Sequence, residues 1–285
     1  ERCCDRETIG GTVNLTAAEE ITDTNFAEGM ITADTLNIRD AKGVGQASSA
    51  LPIEGEAGWL DTDINHLNIR DVWYDDVYIN EAEGINVRDV ELRYGIYRDF
   101  AVVANDGDIT VGNVVADDGS VFLTAADGGI YDRVSDYAAL PNGGVDIRSA
   151  VIELRAEDGI GTEVGVAIRE LETAGQDIFA ETTGYEADIL MRNNTSADAK
   201  AELVTHGEDA WITFAQIGGG NLHVTRAETR NSGDIELLVE NANLYAYSVS
   251  AGLGIGENGG ARSAPEATGS GDVYLTTLTD GDVFV

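Results

Sequence analysis

The sequence predicts an all-β fold, a parallel β-helix (β-solenoid) of stacked degenerate coils, and three observations predict it. Short strands with alternating apolar and polar residues recur along most of the chain. Turns containing glycine or Asp separate them, and 34 glycines stand against only 3 prolines. Pieces of sequence also repeat, which sandwiches and barrels do not require and stacked coils do.

The first strand in chain order is Thr12-Val-Asn-Leu-Thr16, with Val13 and Leu15 inward. Leu36-Asn-Ile-Arg-Asp40 follows and returns letter for letter as Leu67-Asn-Ile-Arg-Asp71, with a close variant at Ile85-Asn-Val-Arg-Asp89. The same alternation marks Val77–Asn80, Ile109–Val111, Val121–Thr124, Val145–Arg148, Leu222–Thr225, Ile235–Val239 and Val273–Thr276. A turn of the form Gly-Asp-Ile/Val precedes several of them, at Gly107, Gly233, Gly271 and Gly281. Gly43-Val-Gly45, Gly159-Ile-Gly161 and Gly254-Ile-Gly256 suggest a longer period. At roughly twenty residues per coil, a common solenoid repeat, the chain would make about a dozen coils. Two stretches read as short helical decorations on coil corners, Ala167–Glu172 and Ala197–Leu203. Loops at 46–58 and 257–269 read as projections from one elongated domain spanning 1–285.

Charge narrows the partners. With 52 acidic and 17 basic residues the net charge is −35, so nucleic acid and anionic membrane surfaces would be repelled. No apolar run is long enough for a transmembrane helix, and membrane insertion is not expected. Asp residues stacked at one corner of successive coils would repel one another. Arg39, Arg70, Arg88 and Arg148 each follow an inward residue and should point outward to relieve part of that repulsion. The remainder points to structural Ca2+ or other divalent cations.

Candidate sites are few. Asp61-Thr-Asp63-Ile-Asn65 begins like a calcium loop, but His66 stands where the EF-hand needs glycine and Val72 where it needs glutamate. Asp61, Asp63 and Asn65 therefore remain only weak metal candidates. Gly254-Ile-Gly256-Glu-Asn-Gly259 matches a dinucleotide fingerprint in letters, yet loop residues follow it instead of a helix, so no cofactor site is expected. His66, His206 and His223 form no metal or catalytic motif, and His66 and His223 fall at outward strand positions. No catalytic residue is assigned. The adjacent Cys3 and Cys4 are poorly placed to bridge each other and are candidates for an intermolecular disulfide. Sequons occur at Asn14, Asn193 and Asn194.

The Gly-Asp-Ile turns, the Val- and Leu-rich strands and the Gly-Ile-Gly loops resemble repeats of filamentous-haemagglutinin-like surface exoproteins. That resemblance implies a right-handed parallel β-helix, secretion, an elongated rod, and work as an adhesin or filament at the cell surface. No N-terminal secretion domain of that family is recognisable. The expected function is extracellular, structural and adhesive, with end-to-end self-association and host or matrix glycans or proteins as partners. The chain is expected to be a segment of a longer or self-assembling protein. The alternatives are a polysaccharide-active β-helix lyase or hydrolase, whose acids should converge in a groove, and a non-catalytic glycan- or cation-binding module. For the latter, Trp73, Tyr74, Tyr78, Tyr94 and Tyr97 could supply a sugar platform.

Overall fold

Alternation puts every second side chain on one side of a strand, and a single coil cannot bury that side alone. The computed structural model shows how the chain solves this. It describes residues 10–23, 30–46, 58–92, 98–133, 144–164, 167–230, 232–253, 271–279 and 281–285. The fold is all-β, without helix, and its parallel strands stack into a β-solenoid of about 9 turns. Of the described strands, 22 belong to one parallel system. The other two, Thr162–Val164 and Ala167–Arg169, form an antiparallel hairpin outside that stack.

The coils are fewer and longer than expected, because their lengths vary. Corner contacts between successive coils link residues 21 apart at Asp108 and Gly129, 23 apart at Asp188 and Trp211, and 38 apart at Asp234 and Asp272. Stacking fixes register, while the corners absorb extra residues.

The core is a set of columns. The most regular runs Ile85, Ile109, Ile130, Ile160, Ile189, Ile212, Ile235 and Val273, each in register with the next. All seven isoleucines are buried. The first exact repeat is also stacked on its copy: Leu36 pairs with Leu67, Asn37 with Asn68, Ile38 with Ile69 and Arg39 with Arg70. Asn14, Asn37 and Asn68 form an outward amide ladder with two 2.9 Å side-chain bonds. Asp40 and Asp71, which end the two copies, both take positive φ (52° and 57°), a backbone region that Asp and Asn tolerate better than most residues. The variant at Ile85–Asp89 is shifted. Val87, not Ile85, lies against Leu67, and a bulge then sets Asp89 against Asn68.

The Gly-Asp-Ile turns have a common cause. Asp or Asn at the corner accepts the backbone N–H of its counterpart on the next coil. One ladder runs from Asp198 to Asn221, Asn243 and Asp282, with three bonds of 3.0 Å. A second corner repeats the device from Asp188 to Trp211 and from Asp234 to Asp272, both at 2.7 Å. Glycine beside these corners allows turns to lie directly on each other: a Cβ on Gly220 would sit 1.8 Å from the Ala197 carbonyl oxygen. Asn221→Ala should remove the acceptor of the Asn243 N–H and the side-chain amide bond to Asp198, while its own N–H still donates to Asp198, and cost about 1 kcal/mol. The midpoint of urea unfolding measures it, and an unchanged midpoint would show that these exposed corner bonds contribute nothing to stability.

Several sequence expectations are corrected here. Ala167–Arg169 and Leu171–Ala174 are strands, as is Ala199–Glu208, so neither predicted helical decoration exists. In the latter, Ala199, Ala201 and Leu203 point inward while Lys200 and Glu202 face solvent. Tertiary stacking overrides the local helix propensity of this alanine-rich stretch. The Gly-x-Gly segments do not mark a structural period. Val44 stacks with Ile21 and Val77, whereas Ile160 lies in the isoleucine column, and the third segment lies outside the described residues. The loops predicted at 46–58 and 257–269 lie almost wholly outside them too.

Candidate functional site

The residues that sequence reasoning offered for a cation do not converge. Asp61, Asp63 and Asn65 are successive outward positions of the extended strand Leu60–Val72. Alternate residues on such a strand stand about 7 Å apart. Asp61 instead accepts the Asn80 amide at 2.7 Å, and the Asn65 amide donates to Asp34 at 3.1 Å. Among the described residues no group of three His, Cys, Asp or Glu side chains could hold a metal ion. Cys3 and Cys4 lie outside the described residues, as does Gly254–Gly259.

Two of the four predicted outward arginines find acids. Arg70 pairs with Asp89, and Arg148 lies 3.9 Å from Asp117. The densest network is on the face carrying strands Ile147–Ala156, Asp177–Thr182 and Ala199–Glu208. Arg155 pairs with Glu181 and, at 2.9 Å, with Glu153. Its guanidinium also lies 4.5 Å from the Phe179 ring centroid. His206 Nε2 stands 2.7 Å from the other oxygen of Glu181. Beside this network lies a groove of about 200 Å³, lined in part by Thr124, Ala156, Glu157, Glu181 and Thr183. Its hydroxyls, carboxylates and guanidinium can exchange hydrogen bonds with a polar ligand. Glu181 lies between Arg155 and His206.

The aromatic candidates separate. Tyr78 is buried against Trp59, with ring centroids 5.4 Å apart, and donates its hydroxyl to Asp76 at 3.0 Å. Trp73 and Tyr74 are exposed, with Lys42 Nζ 5.5 Å from the Tyr74 ring. Tyr94 and Tyr97 lie outside the described residues. A different stack, unforeseen from the sequence, joins His223, Tyr245 and Phe284. Their centroids are 4.6 and 4.9 Å apart and their planes within 8° of parallel. The rings present their faces to one another along the coil axis, so they strengthen the stack more than they offer a sugar platform.

No family model, curated protein or solved structure matches the chain.

Two features of the interior were hidden in the sequence. The column Ile38, Ile69, Val90, Val114 and Ile147 is apolar, then continues as Thr173, Asn193 and Gln216 before returning to Val239. All three polar residues are completely buried. Asn193 accepts from the Gly175 N–H at 2.8 Å and from the Thr173 hydroxyl at 3.1 Å. Its amide donates to the Gly175 carbonyl at 3.0 Å and to Gln216 at 2.7 Å. Gln216 in turn donates to the Thr195 carbonyl at 3.2 Å. Asn193, read from the sequence as a sequon, is a core residue, whereas Asn14 and Asn194 are exposed.

The second feature is buried acid. Glu81 is 0% exposed. Burial lifts its pKa to about 7, against the opposing pull of its hydrogen bonds from Thr62, Ile64 and Glu83. Asp146 is 1% exposed. Burial and then the charges of Asp132 and Glu172 push its carboxyl far above the ordinary range. Glu172, whose N–H donates to Asp146 at 3.0 Å, is also raised, chiefly by burial.

Proposed function

We propose that this chain is a structural, adhesive element of an extracellular or cell-surface rod, similar in kind to the filamentous-haemagglutinin-like exoproteins, and that it is not an enzyme. The observation that carries this reading is the isoleucine column, in register from Ile85 to Ile235. A core continuous along one axis, tied coil to coil by ladder and corner bonds, serves stiffness and reach. Nothing in that architecture needs a catalytic pocket. The surplus of acid keeps the flanks of the rod soluble.

Negative-stain electron microscopy of the purified chain, with and without calcium, tests the reading. Rods that join end to end, or that coat surfaces bearing matrix glycans or proteins, are the expected result. Isolated rods that bind no such surface, together with cleavage of a polyuronate or other polysaccharide, would replace it with the enzymatic alternative. The groove beside Arg155 and Glu181 favours one second reading, a non-catalytic glycan-binding module, for which a glycan screen is the direct assay.

A further inference from the structure

The corner in front of the isoleucine column follows one rule along the solenoid. From Gly84 to Asp272, the residue before each member of the column is glycine or Asp, with a single exception, Trp211. Asp serves there as an acceptor: Asp108 takes the Gly129 N–H, Asp188 the Trp211 N–H and Asp234 the Asp272 N–H. Trp211 has no oxygen to offer the Asp234 N–H on the next coil. The sequence gives up a corner bond here for a large aromatic residue that stays 53% exposed. Neither packing nor the corner device accounts for that exchange.

A second exposed ring belongs to the same place. The turn 184–188 lies against the turn 207–211: Glu186 donates its N–H to the Glu208 carbonyl at 3.1 Å, and Ile189 donates to the Trp211 carbonyl at 2.8 Å. Glu186 and Asp209 match in positive φ, 53° and 60°. Tyr185, 65% exposed, opens the first turn as Trp211 closes the second. The charges of Glu186, Asp209 and Glu208 raise the Tyr185 hydroxyl above the ordinary phenol range. Asp234 adds a fourth acid on the next coil, where its carbonyl accepts the Ile212 N–H at 3.0 Å. Among the described residues none of these four acids forms an ion pair, and Arg230, in register with Glu208, forms none with it.

Elsewhere the chain shows what completes such a setting. Lys42 lies 5.5 Å from the Tyr74 ring and pairs with Glu20 and Asp75. Arg155 lies 4.5 Å from the Phe179 ring and pairs with Glu153 and Glu181. In both places a cation covers an aromatic face between two carboxylates. The Tyr185–Trp211 corner has the rings and the carboxylates, and among the described residues the chain brings no cation to either ring. We infer that this corner docks an arginine- or lysine-bearing segment of a partner protein, with the cation on the Trp211 ring and the neighbouring acids around it. The net charge of −35 draws such a segment in. The surface names a partner class for the adhesive reading, on which it rests.

Isothermal titration of the full chain with an amide-capped peptide containing two arginines tests it. Trp211→Asp should weaken binding about tenfold and Tyr185→Ala about threefold. The first substitution adds a carboxylate, so attraction by charge alone would make binding tighter. Tighter or unchanged binding overturns the inference, as does a wild type that ignores the peptide. Trp211→Leu repeats the test without added charge and should lose as much. Trp73→Asp, at a different exposed corner, should bind as the wild type does, and an equal loss there overturns the assignment to Trp211. Trp211→Asp should also raise the urea midpoint, because it restores an acceptor for the Asp234 N–H; a lowered midpoint would assign Trp211 to packing and overturn the exchange argued above. A neutral oligosaccharide bound at Trp211 in place of the peptide would overturn the partner class. The microscopy described above judges the adhesive reading separately: rods that coat matrix surfaces while ignoring the peptide overturn this surface and leave that reading intact.

Discussion

Asn193→Ala is expected to destabilise the solenoid by on the order of 4 kcal/mol, one of the two largest effects anticipated for a single substitution in this chain. The reason is the number of groups it would orphan. Asn193 satisfies both the N–H and the carbonyl of Gly175, the Thr173 hydroxyl and the Gln216 amide oxygen. Each buried polar group left without a partner costs about 1–3 kcal/mol, and some of them would relax. The ladder as a whole need not be stabilising. Replacing Thr173, Asn193 and Gln216 together by Val, Leu and Val would extend the apolar column that leads into Ile147 and resumes at Val239. That triple variant should recover the part of the loss that comes from the Thr173 hydroxyl and the Gln216 amide, but not the part that comes from the Gly175 N–H and carbonyl, which lose Asn193 in both variants. Thermal and urea midpoints of the two variants measure this. If the triple variant is as unstable as Asn193→Ala, the Gly175 N–H and carbonyl carry the whole cost. What the ladder adds is register: an Asn or Gln offset by one coil meets an aliphatic side chain instead of its partner.

Asp146→Asn should act in the opposite direction and stabilise the protein at neutral pH by more than about 2 kcal/mol. Asp146 is buried beside Asp132 and Glu172, and its folded-state pKa lies well above its unfolded value. Its contribution is therefore intact in acid and is lost as pH rises beyond the ordinary carboxylate range. Asparagine keeps the acceptor for the Glu172 N–H and offers an N–H to the Glu172 carboxylate without needing a proton from solvent. The stability difference between variant and wild type should be near zero at pH 4 and grow toward pH 8. A difference independent of pH would mean that Asp146 is not the group taking up the proton. With Glu81, this site predicts that the folded chain binds more protons at neutral pH than the unfolded one.

Much of this architecture is legible in the residues themselves. Leu36–Asp40 and Leu67–Asp71 announce a stacked pair, and they lie in register. The Asp-Ile pairs announce both a corner bond and the central column. Period-two alternation is nevertheless blind to a shift of two residues, since the inward set stays inward. That is how Ile85–Asp89 comes to lie against Leu67 by way of Val87. Composition misleads where stacking wins over propensity, as in Ala199–Leu203. The interior acids and amides are illegible for a different reason. Asn193, Gln216 and Glu81 keep the inward phase of their strands but carry polar side chains that break the apolar pattern, Asp146 falls out of phase with Ile147, and only the partners brought by neighbouring coils reveal why they are buried. The cation reading of Asp61, Asp63 and Asn65 took closeness in sequence for convergence in space, which an extended strand does not provide.

The unequal coil lengths carry a consequence of their own. The bond from Asp234 to Asp272 bridges 38 residues and that from Asp108 to Gly129 bridges 21, yet both close one rung of the same kind. Height along the axis is therefore counted in rungs and not in residues. New sequence can enter at a corner without lengthening the rod or disturbing the columns on either side. Such a molecule can diversify what it displays sideways while its span stays constant.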